Sequence, residues 1–128
     1  LYYGLARLLR PQRIVVIGSY RGFAPMLFAR ALADNGEGGR VTLIEPSLVD
    51  DFWTDSNRVA AHFSEIGLAN IDHVAMTTQQ WVGSTDWQDL GPVGLAMIDG
   101  YHSAEQAEFD HDALLPKLTD DAYLLFHD

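Results

Sequence analysis

The stretch Arg13-Ile14-Val15-Val16-Ile17-Gly18-Ser19-Tyr20-Arg21-Gly22 decides the fold. Its unbroken apolar run, residues 13–17, is the signature of a strand buried on both faces, as in a parallel sheet. The run stops at Gly18, and a helical pattern begins just past Gly22. About twenty residues later a second apolar run, Val41-Thr42-Leu43-Ile44, ends on Glu45. Strand, glycine loop, helix, strand and acid, in that order, is the layout of a nucleotide-type cofactor site in an open α/β sheet. Such a site sits at the carboxyl ends of the strands, so other residues with chemical promise matter when they reach that edge.

The remaining elements follow from period and punctuation. Residues 1–10 show helical spacing that Pro11 ends, and residues 23–34 form a helix with Phe23, Met26, Leu27 and Ala31 on one face. Pro25 falls in that helix's first turn, where its missing N–H does no harm. The segment Asp34-Asn35-Gly36-Glu37-Gly38-Gly39 makes the return loop. A helix over 55–67 turns Val59, Ala60, Phe63 and Ile66 inward, and a short third strand covers 72–76. A polar loop, Thr77-Thr78-Gln79-Gln80, leads to a weak helix or turn with Trp81 and Trp87. A fourth strand over 93–98 ends on Asp99, a helix runs from about Ser103 to Leu118, and a fifth strand over 122–126 ends at His127-Asp128. Strands alternating with helices imply right-handed crossovers and a doubly wound, mostly parallel, Rossmann-like sheet of order 3-2-1-4-5.

At 128 residues the chain is one domain, 1–128, able to bury roughly two-thirds of its unfolded surface. It starts on Leu1 and stops on Asp128 directly after a strand, so it reads as a domain truncated at its C-terminus, with C-terminal strands missing. Eighteen acidic residues against eight Lys and Arg give a formal charge of −10, which repels phosphate backbones and anionic lipid. Nucleic acid and membrane surfaces are therefore excluded as expected partners. Cysteine is absent, which removes disulfides, thiolate metal sites and thiol nucleophiles. No apolar run approaches the ~20 residues of a bilayer span and no signal peptide is visible, so a cytoplasmic protein is the expectation.

The loop is Gly18-x-x-x-Gly22, not GxGxxG. Tyr20 stands where a dinucleotide site needs a second glycine for close approach to a pyrophosphate, so the loop suits a cofactor with an adenosine but no pyrophosphate. An ordinary strand-to-helix turn would use the same glycines. Glu45 at the tip of the neighbouring strand has the geometry to accept both ribose hydroxyls. Thr78 and Gln79 are placed to hydrogen-bond an adenine, and Trp81 to flank one. Asp99, His127 and Asp128 would meet at the same edge if the fourth and fifth strands are neighbours, and oxygen and imidazole ligands there suit Mg²⁺ or Mn²⁺. His102, three residues past Asp99, has the chemistry to take a proton at neutral pH. Asp99 and Ser103 are also helix-cap candidates. His62, His73 and His111 have no evident partner and read as structural.

With those residues in place, the chain resembles the class I S-adenosylmethionine-dependent methyltransferases, in particular the small-molecule O-methyltransferase branch. The resemblance rests on Ile98-Asp99-Gly100-Tyr101-His102-Ser103, Asp110 inside the next helix, and Phe126-His127-Asp128. It implies that Gly18, Ser19 and Gly22 wrap the methionine part of S-adenosylmethionine, with Tyr20 beside them in the loop, and that Glu45 binds the ribose. It implies further that Asp99 and the His127-Asp128 pair hold Mg²⁺ where a metal is used, and that His102 is the catalytic base beside Asp99. The chain departs from the family pattern at Val16, where an acid is usual, at Asp120-Asp121, where Gly-Gly is usual, and at His127, where Asp is usual.

The expected activity is transfer of a methyl group to a hydroxyl of a small molecule, with metal assistance as an option the Asp99, His127 and Asp128 set leaves open. Two alternatives stay open: a noncatalytic binding or assembly domain of the same fold, and a metal-dependent hydroxylase-like or hydrolytic relative. The methyl acceptor is not legible, and a homodimer is compatible with the sequence.

Overall fold

The computed structural model describes residues 1–46 and 51–128. Five strands, β1 (Arg13–Ile17), β2 (Arg40–Ile44), β3 (Ile71–Val74), β4 (Val93–Ile98) and β5 (Leu118–Phe126), form one sheet of order β3-β2-β1-β4-β5. Every neighbouring pair is parallel. α1 (Tyr2–Leu9) precedes β1, and between the strands run α2 (Phe23–Asn35), α3 (Ser56–Glu65), α4 (Thr78–Val82), α5 (Thr85–Gln88) and α6 (Ala104–Leu114). The doubly wound α/β sheet and its strand order are as the sequence predicts.

Successive side chains of a strand point to opposite faces, so each apolar run feeds two cores. Ile14 and Val16 pack with Phe28, Leu43, Val59, Phe63 and Met97 under α1, α2 and α3. Val15 and Ile17 pack with Ile44, Trp81, Ala96, Ile98 and Leu114 under α4 to α6. Burial on both faces is why β1, β2 and β4 carry continuous apolar runs with no alternation.

Chain order reverses direction at β1, whose neighbours are β2 on one side and β4 on the other. The two crossovers leave in opposite directions there and open a crevice at the strands' carboxyl ends. Each strand tip is stitched to its neighbour one residue beyond the paired register. Gly18 N–H donates to Ile44 C=O at 2.9 Å, Glu45 N–H to Val74 C=O at 3.1 Å, Asp99 N–H to Ile17 C=O at 2.8 Å and His127 N–H to Ile98 C=O at 3.0 Å.

Several details differ from expectation. The polar segment after β3 is a helix, α4, because Thr77 and Gln80 form a reciprocal capping box over its first turn. In α3 only Val59 and Phe63 are buried; Ala60 and Ile66 face outward, as the helix is capped by Asp55 and its inner stripe is narrow. Ser103, not Asp99, caps α6 by accepting the Gln106 N–H. β5 begins at Leu118, four residues earlier than expected, and takes in Asp120 and Asp121 as exposed strand positions across a register shift. No helix among the described residues is long and apolar enough to cross a membrane.

Candidate functional site

A cavity of about 500 Å³ opens at the crevice. Its wall brings together nine of the residues singled out from sequence: Gly18, Ser19, Tyr20, Glu45, Thr78, Gln79, Asp99, His102 and His127. Two others, Gly22 and Asp128, do not line it.

The loop between β1 and α2 is shaped by close packing. Gly18 has φ +79°, and a Cβ there would stand 2.2 Å from the Asp99 carbonyl oxygen and 2.6 Å from Gly100 Cα. Glycine is needed so that the tips of β1 and β4 can touch. Gly22 (φ +80°) faces Trp53 and Phe63 and not the cavity; a Cβ there would lie 3.1 Å and 3.2 Å from their rings. Tyr20, exposed on the rim, also adopts a left-handed conformation, φ +50°. Its carbonyl accepts the Trp53 indole N–H at 3.0 Å.

Glu45 is only 8% exposed, and its Oε2 accepts the Ser19 backbone N–H at 2.9 Å. The carboxylate thus ties the tip of β2 to the glycine loop. Behind it sits His73, read from sequence as having no evident partner. Its Nε2 lies 3.0 Å from the Glu45 carbonyl oxygen and its Nδ1 3.1 Å from Ser56 Oγ. A neutral ring that donates from Nε2 and accepts at Nδ1 satisfies both. Burial pushes the His73 pKa down, opposed by the Glu45 carbonyl. The Ser19 hydroxyl is buried at the cavity wall with no hydrogen-bond partner among the described residues.

At the other end, Asp99 Oδ1 stands 3.0 Å from His127 Nδ1 and 3.4 Å from His102 Nε2. His127 Nδ1 is also 3.4 Å from Asp128 Oδ2. An imidazole nitrogen therefore occupies the place between the two carboxylates that a shared cation would take. Among the described residues no group of three or more His, Asp or Glu is arranged to hold a metal ion.

A third wall comes from α4 and α6. Gln79 Nε2 donates to Gln106 Oε1 at 2.8 Å, and Gln106 Nε2 donates to Asp110 Oδ1 at 2.7 Å. Asp110 is 1% exposed, and its Oδ2 has no partner in bonding geometry among the described residues. Burial pushes its carboxyl above the usual carboxylate range, opposed by its polar neighbours Thr78 and Gln106. Trp81 is fully buried in the core beneath this wall, so it does not flank the cavity as expected. The roles of Trp53, Gln106 and Asp110 were not read from sequence. The i, i+4 pair Gln106/Asp110 was the available signal.

The family described as methyltransferase domain matches residues 15–128, which runs from within β1 through every later element. The chain belongs to the methyltransferase domain family. Among solved structures, this methyltransferase domain is similar to the O-methyltransferase TomG from Streptomyces achromogenes, involved in tomaymycin synthesis and solved in complex with SAM. The two are 22% identical with a TM-score of 0.75, over 98% of this chain and 52% of TomG. The SAH-bound methyltransferase PaMTH1 of Podospora anserina is 18% identical with a TM-score of 0.72, over 98% of this chain and 49% of that one. Among curated proteins, Uncharacterized protein y4gI of Sinorhizobium fredii is 26% identical over 129 residues, 97% of this chain and 14% of that protein. The methyltransferase domain thus spans about half the length of the solved structures and a small part of y4gI.

Proposed function

We propose that this domain binds S-adenosylmethionine in the crevice and transfers its methyl group to a hydroxyl of a small molecule. One observation carries the reading. The cavity wall holds three carboxylates, Glu45, Asp99 and Asp110, and among the described residues no Lys or Arg. Such a wall disfavours a polyphosphate and suits a nucleoside that carries positive charge on its tail. Its volume lies within the ~300–1,000 Å³ of small-molecule sites. The Ser19 hydroxyl, without a partner among the described residues, supplies a polar group that a ligand could engage. TomG, solved in complex with SAM, and PaMTH1, solved bound to SAH, support the assignment by likeness of fold.

In this reading Glu45 accepts the ribose hydroxyls, Gly18 and Ser19 face the methionine part, and Tyr20 walls the rim. Gly22 contributes indirectly, by letting Trp53 pack against the loop. Thr78 and Gln79 face the base. When bound, the cofactor supplies an electrophilic methyl on a sulfonium. The C–S bond breaks as the C–O bond forms, and the electron pair stays on sulfur. The chain's chief contribution is alignment of donor and acceptor. His102 takes the acceptor's hydroxyl proton, with Asp99 facing its ring to stabilise the imidazolium. The residues expected to hold Mg²⁺, namely Asp99, His127 and Asp128, are instead paired with one another, so as placed they do not fit a cation and no step is routed through one.

A second reading has its own observation. Val16 stands where relatives carry an acid and is fully buried in the core under α2, so the loop has no carboxylate at its root. That favours a noncatalytic module that keeps the fold. Titration calorimetry with S-adenosylmethionine and S-adenosylhomocysteine, followed by a methyl-transfer assay on phenol and sugar hydroxyls, separates the two. Micromolar binding with transfer supports the enzyme. Binding without transfer to any acceptor supports the module, and no heat with either compound refutes the cofactor site.

A further inference from the structure

We propose that Asp110 is a positioning residue that fixes the polarity of the Gln106–Gln79 amide pair, so that the cavity selects a 6-amino purine over a 6-oxo purine. The inference rests on the cofactor reading above and assigns the part of the site that reads the base.

A carboxylate can only accept hydrogen bonds. Asp110 Oδ1 faces Gln106 at 2.7 Å, so Gln106 must turn its NH₂ inward and its carbonyl oxygen outward. That oxygen meets Gln79 at 2.8 Å, so Gln79 in turn must present its NH₂ to Gln106. The Gln79 oxygen and its second N–H are then left, in fixed order, as the open end of the chain. Two amides that would otherwise be free to flip are thereby locked in one direction by a single buried charge.

The purpose of that charge is not found elsewhere in the fold. Ser103 already caps α6, and Asp110 makes no ion pair among the described residues. Its second oxygen lies beneath Gly100, where an added Cβ would come within 3.3 Å, and takes no donor in bonding geometry among the described residues. Keeping an acceptor-only group so fully buried is costly unless it orders something. What it orders is the α4/α6 wall, made of Thr78, Gln79, Gln106 and Asp110. Glu45 and Asp99 occupy the other walls. A nucleoside with its ribose at Glu45 and its charged tail toward Asp99 has only this wall left for its base.

The edge of a 6-amino purine offers an N–H donor beside a ring-nitrogen acceptor, and a 6-oxo purine reverses both. The locked amide, its oxygen toward the 6-amino N–H and its second N–H toward the ring nitrogen, pairs with both groups of the first and meets like with like at both groups of the second. A mismatched polar contact of this kind lowers affinity about ten- to a hundredfold.

The test measures binding of S-adenosylhomocysteine and of its inosine counterpart, by calorimetry, to the wild-type chain, Asp110→Asn and Gln79→Ala. The wild type should prefer the amino compound by about ten- to a hundredfold. In Asp110→Asn the new amide can donate as well as accept, Gln106 can turn round, and the preference should fall to about threefold or less. Gln79→Ala alters an exposed side chain, leaves folding intact and should also abolish the preference, so it decides the matter if Asp110→Asn does not fold. Retention of S-adenosylhomocysteine binding with an undiminished preference in the variants overturns this inference alone, as does a wild type that binds both compounds equally. A wild type that binds neither overturns the cofactor reading and this inference together.

Discussion

Replacing Gly18 with Ala should be among the most damaging single-methyl changes available to this domain. Two costs add. A residue with a Cβ at φ +79° pays the left-handed penalty of roughly 1–2 kcal/mol. The new Cβ would also stand 2.2 Å from the Asp99 carbonyl oxygen and 2.6 Å from Gly100 Cα, both backbone atoms of the neighbouring strand tip. Overpacking of this sort costs typically ~1–3 kcal/mol, and there is no flexible side chain to swing aside. The sum, about 2–5 kcal/mol, is a large part of the ~5–15 kcal/mol available to a domain. Gly36→Ala is the internal control, because Gly36 has φ +69° but open space around it, so only the conformational cost applies. Gly22→Ala should fall between them, since its obstacles are the rings of Trp53 and Phe63. Urea unfolding followed by far-ultraviolet circular dichroism, with the slope compared across variants, reads all three. If Gly18→Ala loses no more stability than Gly36→Ala, the close approach of β1 and β4 is not as described. A well-folded Gly18→Ala with undiminished S-adenosylhomocysteine affinity would contradict the placement of Asp99 at the cavity.

Three other outcomes are expected. Glu45→Gln should weaken S-adenosylhomocysteine about ten- to a hundredfold, because the bonds it loses are charge-assisted, and an unchanged calorimetric affinity would remove Glu45 from the ribose role. His102→Gln should lower methyl transfer by about 10²–10⁴ with cofactor affinity preserved, and an equal loss of both would make it a binding residue instead. Asp72 is held by Arg40 at 2.7 and 2.9 Å and by Arg13 at 3.1 Å, and the Arg40 guanidinium foremost keeps its carboxyl below the usual range. A depressed carboxylate stabilises the fold above the unfolded value of about 3.9 and loses that contribution as pH falls through its folded pKa. Asp72→Asn should therefore cost at most about 1 kcal/mol at pH ~7, the group being half exposed, and progressively less as pH falls below about 3.9, as urea midpoints measured across that range would show.

The parts of the molecule that sequence makes legible are those a single segment determines. β1, β2 and β4 are buried on both faces, so each is a continuous apolar run closed by a glycine or an acid, and the sheet order follows from the handedness of crossovers. The residues just past those runs (Gly18, Glu45, Asp99) fall at the cavity for the same reason. What escaped notice depends on contacts between segments. Trp81 follows the loop after β3 in sequence, yet α4 turns it into the core. Gly22 belongs to the glycine loop, yet Trp53 from the far side of β2 claims its missing side chain. His73 gains its partners from Glu45 and Ser56, and Asp110 gains its meaning only when α6 lies against α4. The amino-terminal half of β5 is polar and exposed, so no hydrophobic run announces it.

The stitching of the strand tips has a further consequence. Gly18, Glu45, Asp99 and His127 each continue the ladder through the main-chain amide alone. Apart from Gly18, whose lack of a side chain is dictated by packing, and Glu45, whose carboxylate also holds the Ser19 N–H, these positions hold their place through the main chain whatever side chain they carry. Evolution can therefore rewrite the row of groups facing the crevice, exchanging a base for an acid or an acid for an amide, while the scaffold beneath never registers the edit.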